Sequence, residues 1–324
     1  MTNGKILRQD EPYGNMTMRA GGVAFKASCA QLDQDIEKLQ SSCLSLTCEP
    51  GAPYRRHDGC CNSLESRLRG SANTALPRLL APAYSDGVSL PRGGLTSSLP
   101  SPRAVSVAVH QAHEENNHRE SISLMVMQWG QFLDHDTSLI QGTVGPSPCC
   151  LPDFIAADSS KPEDVRSCFN IDVADDIFYK NHGFGCFPFT RATAICSESK
   201  VREQFNAITS FIDGNQVYGS DKQRADKLRT KSDGLLKTHY LGPTLPTNRQ
   251  AGFVDGSPLT NPPGAQTEDL VAGDIRVQQH PGLAAVQSLF LLEHNRIARE
   301  YKKLDPSLTD DEQIYQLARR LVAA

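Results

Sequence analysis

No stretch of the 324 residues approaches the roughly 18 consecutive apolar residues that a membrane span requires. The most apolar segment is the short, interrupted run Leu283 to Leu292, so no transmembrane segment is expected. A charge excess is also missing: 33 Lys and Arg against 37 Asp and Glu give a net −4, with no basic run, which argues against a nucleic-acid partner. There is no CxxC pair, no internal repeat and no alternating strand pattern of any length. Arg-Gly-Asp and Lys-Gly-Asp triplets are absent, which removes one sequence argument for an adhesive role. The opening run MTNGKILRQDEPYGN has neither the basic flank nor the apolar core of a signal peptide. With 39% apolar residues the composition is that of an ordinary globular chain, long enough for a large core or two domains.

What the chain does have is cysteine. Ten cysteines fall in two groups, Cys29, Cys43, Cys48, Cys60 and Cys61, then Cys149, Cys150, Cys168, Cys186 and Cys196. An even count at irregular spacing reads as disulfides formed in an oxidising compartment rather than as zinc ligands. An extracellular setting is therefore expected, and with no signal peptide in this chain either the true start lies upstream or export is wrong. The one sequon, Asn15-Met16-Thr17, would carry a glycan only if that segment is exported.

Residues 1–53 give no chemical signal and read as a peripheral leader of unknown role. From Tyr54 to about Pro102, proline, glycine and arginine punctuate every apolar run, which predicts an extended wrapping segment without long helices. Apolar residues then crowd a helix predicted from about Glu114 to Leu139, with Ile122, Leu124, Met125, Met127, Trp129, Phe132 and Leu133 expected to bury it. Pro146 to Cys196 reads as an irregular, cysteine-bridged excursion, SKVREQFNAIT as a short helix, and Leu241 to Thr267 as a polar loop. LAAVQSLFLLEHNRIAREYKKL and DDEQIYQLARRLVAA read as core helices, the second with acidic residues at its start. The fold class expected is mainly α with long loops. The last helix stops without a cap or breaker, which reads as truncation.

The sharpest constellation is Gln128-Trp-Gly-Gln131-Phe-Leu-Asp134-His135-Asp136. On a helix Gln131, Asp134 and His135 share one face at i, i+3 and i+4, whereas Asp136 points away from Gln131. An amide, a carboxylate and an imidazole set among apolar residues are costly unless each has a partner, and a cofactor pocket is one way to supply it. Spacing alone fits equally well a satisfied core histidine with a salt-bridging Asp134. A divalent-metal hydrolase using Asp134, His135 and Asp136 fits less well, because adjacent helical residues diverge and cannot all reach one ion.

The string MQWGQFLDHD closely resembles the distal haem helix of the animal haem peroxidases. The resemblance extends, in family order, through YRRHDGCCNSLESRLRGSANTALPRLLAPAYSDGVSLPRG, LPSPR, REQFNAITSFIDGNQVYGS, VAGDIRVQQHPGL and LFLLEHNRIA, and so covers residues 54–324. Those residues look like the first, distal-side part of the catalytic domain. The resemblance implies a haem-dependent peroxidase that reduces hydrogen peroxide and oxidises a halide or a phenolic or other organic donor. It implies that His135 is the acid–base residue, that Gln131 orders the water or halide above the iron, and that Arg276 of GDIR places a positive charge there. Haem b would be the cofactor, with Asp134 able to form an ester to it. An imidazole titrating near neutrality suits the proton shuttle.

The resemblance also implies calcium, held by Asp136 with Thr209, Phe211, Asp213 and Asn215. In TSFIDGN these alternate, so an extended loop would aim the Thr, Asp and Asn oxygens and main-chain carbonyls at one centre, the oxygen-rich set calcium prefers. Asn215 stands where serine is usual. Without metal, Asp213-Gly214-Asn215 is a common turn. Bridges among Cys149, Cys150, Cys168 and Cys186 are implied as well, with Cys60 or Cys61 free to reach the leader or residues beyond this chain.

Three departures follow. Gln279 stands where the family has a glutamate that forms a second haem ester, so any covalent link would run through Asp134 alone; its neighbour His280 is expected to face solvent. Leu292 replaces a usual basic residue. No motif of the RFGH kind, which supplies the family's iron-ligating histidine, occurs; after Gly282 the only histidine is His294, which matches the helix residue of EHNR. The competing reading is a catalytically incompetent fragment, or an extracellular matrix or adhesion protein that keeps the fold.

Overall fold

The computed structural model describes residues 40–89, 91, 99–110, 122–140, 149–150, 168–196, 201–253 and 269–324. Helices predominate. They are α1 (Pro102–Val109), α2 (Met125–Thr137), α3 (Asn215–Tyr218), α4 (Lys222–Leu228), α5 (Asn248–Ala251), α6 (Pro281–Leu304) and α7 (Asp311–Val322). Strands are short: β1 (Thr74–Ala75), β2 (Ile171–Asp172), β3 (Cys186–Phe187), β4 (Ala194–Cys196) and β5 (Arg202–Asn206). One antiparallel sheet runs β1-β5-β4, with Thr74 opposite Asn206 and Ala194 opposite Gln204; β2 and β3 form a second pair.

The two core helices read from sequence are present. Pro281 occupies the first turn of α6, where its missing N–H costs nothing, and α7 is capped by Asp310, whose side chain accepts from Gln313 N. Asp311 and Glu312 in the first turn of α7 both accept from the Arg229 guanidinium, which lies 3.9 Å over the Tyr315 ring. Gly234 makes this docking possible. Its φ is +68°, and a Cβ there would lie 2.6 Å from Tyr315 N. The main core gathers Phe132 of α2, Val217 and Tyr218 of α3, Leu283, Val286 and Leu291 of α6, and Tyr315 of α7. Each such Leu or Phe contributes roughly 1.5–3 kcal/mol by leaving water. Leu292 packs against this cluster, which accounts for an apolar residue at that position.

Four disulfides join Cys43 to Cys60, Cys48 to Cys61, Cys149 to Cys168 and Cys150 to Cys186. The first two fasten residues just ahead of Tyr54 to the wrapping segment. That segment, where described, holds only turns and β1, as its proline and glycine content predicts. The other two pin the ends of the cysteine-rich excursion; its residues 151–167 lie outside the described set.

Several expectations fail. SKVREQFNAIT contains a strand, not a helix: Phe205 is fully buried, and the Asn206 side chain bonds Leu139 N and Thr137 O, both at 2.8 Å. Pairing on both edges outweighs local helix propensity here. The central helix starts at Met125, with residues 122–124 non-helical, and ends at Thr137, where Ser138 turns extended and Leu139 pairs with Ala207 instead; residues 114–121 of the predicted helix lie outside the described set. Nor is this helix buried as expected, because Ile122, Leu124, Met125, Met127 and Trp129 are exposed. Its apolar residues run around the whole cylinder, while the described chain covers only one stripe. The polar loop after Leu241 contains α5, closed by a capping box between Thr247 and Gln250; residues 254–268 of that loop lie outside the described set.

Candidate active site

The stripe of α2 that faces the protein is Gln128, Phe132, His135 and Asp136, spaced i, i+4, i+7 and i+8. Three of the four are polar. The helix therefore docks by specific bonds as much as by apolar burial, and each bond fixes one part of the site.

At its start, Gln128 Nε2 lies 2.8 Å from His280 Nδ1, which also accepts from Gly282 N at 3.0 Å. His280 is the N-cap of α6. It does not face solvent, as the sequence suggests, but ties α6 to α2. Gly282 is required at this seam, since a Cβ there would lie 2.8 Å from the Gln128 side chain. One turn further along α2, Gln131 Nε2 donates to Gln279 Oε1 at 3.2 Å, so the two amides are engaged with each other. Asp134 is exposed on the same open side, one oxygen accepting from Ser138 Oγ at 3.1 Å.

His135 is 3% exposed, and its Nδ1 has no hydrogen-bond partner. Burial pulls its pKa below the usual imidazole value; Asp274 opposes that shift and Arg276 adds to it. Nδ1 lies 3.8 Å from Asp274 Oδ1. Asp274 in turn holds Arg276, accepting from Nε at 2.9 Å, from Nη2 at 2.7 Å and from the main-chain N at 2.7 Å. Arg276 thus arrives locked to a buried carboxylate. Asp274 was not singled out from the sequence, although Asp-x-Arg in a tight loop places both side chains together. Gly273 sets this loop against α3: a Cβ would lie 2.3 Å from Asn215 O and 2.4 Å from Gly219 N, both main-chain atoms.

Asp136 leaves on the other side of α2, as helix geometry requires. Its carboxylate accepts from Gly214 N at 3.2 Å and Asn215 N at 2.9 Å, and the Asn215 amide donates to its main-chain carbonyl. Thr209 Oγ1 donates to Asp213 Oδ2 at 2.9 Å and accepts from Asn215 Nδ2 at 3.2 Å. Thr209, Asp213 and Asn215 are all buried. They converge because the loop bends and Gly214 takes φ +74°, not because it is extended. Phe211 instead packs its ring where Gly70 leaves room. Burial, reinforced by the nearby Asp213 charge, lifts the Asp136 pKa to about 7; burial raises that of Asp213 as well. Asp213 Oδ1 and Asn215 Oδ1 have no partner. Among the described residues no cluster of three His, Cys, Asp or Glu side chains forms, so a cation here would depend on two carboxylates plus neutral oxygens.

His294 is fully buried between Tyr218 and Gly234. Its Nε2 lies 2.9 Å from the Gly234 carbonyl and so donates, which leaves Nδ1 to accept from the Tyr218 hydroxyl at 2.9 Å. It is committed on both sides.

Lactoperoxidase from Mesocricetus auratus is 36% identical over 86% of this chain and 41% of its own length. Myeloperoxidase from Mus musculus is 34% identical over 86% and 40%. Peroxidase A from Dictyostelium discoideum superposes with a TM-score of 0.62 at 25% identity, over 83% of this chain and 50% of that one. The chain thus spans about two fifths of the length of these two curated relatives. The family model for animal haem peroxidase matches residues 54–324, and the chain belongs to that family.

Proposed function

We propose that this chain supplies the distal side of a haem peroxidase that reduces hydrogen peroxide and oxidises a halide or an organic donor. The observation that carries the reading is His135, buried, with an unpartnered Nδ1, beside the Asp274–Arg276 pair. Its lowered pKa keeps the imidazole neutral at pH 7, ready to take a proton from peroxide and return it to the departing oxygen. Asp274 supports the developing imidazolium from 3.8 Å and orients the Arg276 guanidinium, whose charge favours separation of the two oxygens. Gln131, its amide turned by Gln279, orders a small molecule on the open side of α2.

The residues on that side fit haem: Asp134 is exposed and could form an ester, whereas the Gln279 amide cannot by the family's route. Haem, when bound, would supply the iron at which the peroxide bond breaks. His294 is unavailable as its ligand because both ring nitrogens are engaged. Calcium fits the pocket formed by Asp136, Asp213 and Thr209, where two buried carboxylates face each other and two oxygens lack partners. The Asn215 amide would have to turn to present Oδ1 instead of Nδ2. There calcium would tie α2 to the 209–215 loop. The disulfides favour an exported protein.

One observation favours a second reading, a protein that keeps the fold without turnover. Gln279 is bonded to Gln131 where the family places an ester-forming carboxylate. An optical spectrum separates the two. Expressed as the complete gene product with haem, a peroxidase gives a high-spin Soret band, while a non-catalytic relative gives no specific haem binding.

A further inference from the structure

Residues 221–252 contain seven basic and three acidic side chains, a local net charge of +4 in a chain whose total is −4. In the linear sequence the cations are interleaved with neutral residues and form no run. Folding brings three of them, Lys222, Lys227 and Lys237, to one groove, while Arg229 is buried against Asp311 and Glu312. The tight turn after α4 pairs Arg229 with Leu236 and brings Lys237 N to within 2.8 Å of Leu228 O, which sets Lys237 beside α4. Together with the end of α5 this encloses an open groove of about 610 Å³, lined by Lys222, Lys227, Lys237, Asp226, Ala251 and Gly252 among others.

Three ammonium groups thus border one carboxylate, and that carboxylate is already engaged. Asp226 accepts from Lys222 Nζ at 2.6 Å and also from Lys231. Among the described residues neither Lys227 nor Lys237 has a carboxylate within ion-pairing distance. Lys227 Nζ sits 4.8 Å over the Phe253 ring, and the Arg224 guanidinium lies 4.8 Å from the same ring. Lys237 is half-buried, with its pKa lowered by desolvation, so its charge lacks compensation from both water and protein. The floor is small and open: Ala251 is buried, and a Cβ at Gly252 would meet nothing within 4 Å.

We propose that this groove binds a sulfated polysaccharide. The free cations are lysines on flexible stems, which suit a polymer with irregularly spaced sulfates, whereas one fixed phosphate calls for a guanidinium fork or a nest of main-chain N–H groups. The open floor leaves room for sugar rings between the charges. Four disulfides place the protein in an oxidising compartment, where the abundant polyanions are glycans rather than nucleic acids. Binding here requires neither haem nor peroxide. It would hold the protein at a glycan-rich surface.

The test is titration of the full chain with a heparin-derived octasaccharide across a salt series. Lys227→Gln/Lys237→Gln is expected to weaken binding on the order of tenfold and to flatten the log–log salt dependence by about 1 to 2. The exposed Lys303→Gln should bind like the parent, and all three proteins should share one melting temperature. Parental affinity in the double variant overturns the proposal, as does equal binding of the desulfated octasaccharide. Tighter binding of a single-stranded oligonucleotide of matched charge would assign the groove to nucleic acid instead.

Discussion

His135 Nδ1 lies 3.8 Å from Asp274 Oδ1, and the same carboxylate grips the Arg276 guanidinium through two bonds of 2.9 and 2.7 Å. The residue proposed to move the proton and the cation proposed to favour charge separation are therefore held by one carboxylate. Asp274→Ala should release both. In the complete haem-loaded protein we expect kcat/KM for peroxide to fall by tenfold or more, with Asp274→Asn, which keeps one acceptor, falling less. Because Asp274 is buried and Arg276 would be left without its partner, the alanine variant should also lose about 3 kcal/mol of stability in denaturant titration. Parental turnover in Asp274→Ala would show that Arg276 acts alone.

His294 gives the stability a pH dependence. Burial first, then the Arg229 and Arg319 charges, lower its pKa from 6.5 to about 4, partly offset by the bond to Gly234. As pH falls below 6.5 the unfolded chain takes up this proton before the folded one does. The stabilisation is complete above pH 6.5 and is lost towards pH 4, by up to about 3 kcal/mol. Denaturant midpoints at pH 7 and pH 4.5 measure it. His294→Gln should flatten the difference, and an unchanged slope would assign the pH dependence to other groups.

The Asp136–Asp213 pair has the opposite sign. A carboxyl whose folded pKa is about 7 favours its protonated form, so without metal the pair costs increasing stability as pH rises towards 7. Calcium should remove that cost. Isothermal titration in two buffers of different ionisation enthalpy should detect release of up to about one proton per calcium at pH 7, and chelation should lower the melting temperature. Asp136→Asn should abolish both effects. No proton release and no thermal shift on chelation would leave the loop as a metal-free turn.

Cys43 and Cys60 close a loop with a sequence separation of 17. Replacing both by alanine should cost about 3 kcal/mol, read as a lower melting temperature, with peroxide kinetics unchanged at temperatures where the variant is folded.

The sequence made the long helices legible because α6 and α7 carry apolar residues at helical spacing and α7 opens on acidic residues. Spacing put Gln131, Asp134 and His135 on one face at i, i+3 and i+4, but it did not show that His135 would be buried while Asp134 stays exposed. The partners of these residues were not. Asp274, His280 and Asn206 act through contacts between segments distant in sequence, and no local pattern marks such contacts. The same cause misled the reading of Arg202–Asn206, where pairing with β1 and β4 decided the conformation. The burial of α2 was misjudged because apolar content shows that a helix can be covered, not which elements cover it.

The central claim is that His135 moves the proton when peroxide is cleaved. The direct measurement is the stopped-flow rate of the peroxide-induced spectral change in the complete haem-loaded protein and in its His135→Ala variant. The account predicts the same resting spectrum for both and a rate on the order of 10²- to 10⁴-fold lower in the variant. Equal rates would contradict it and leave His135 as a structural core histidine.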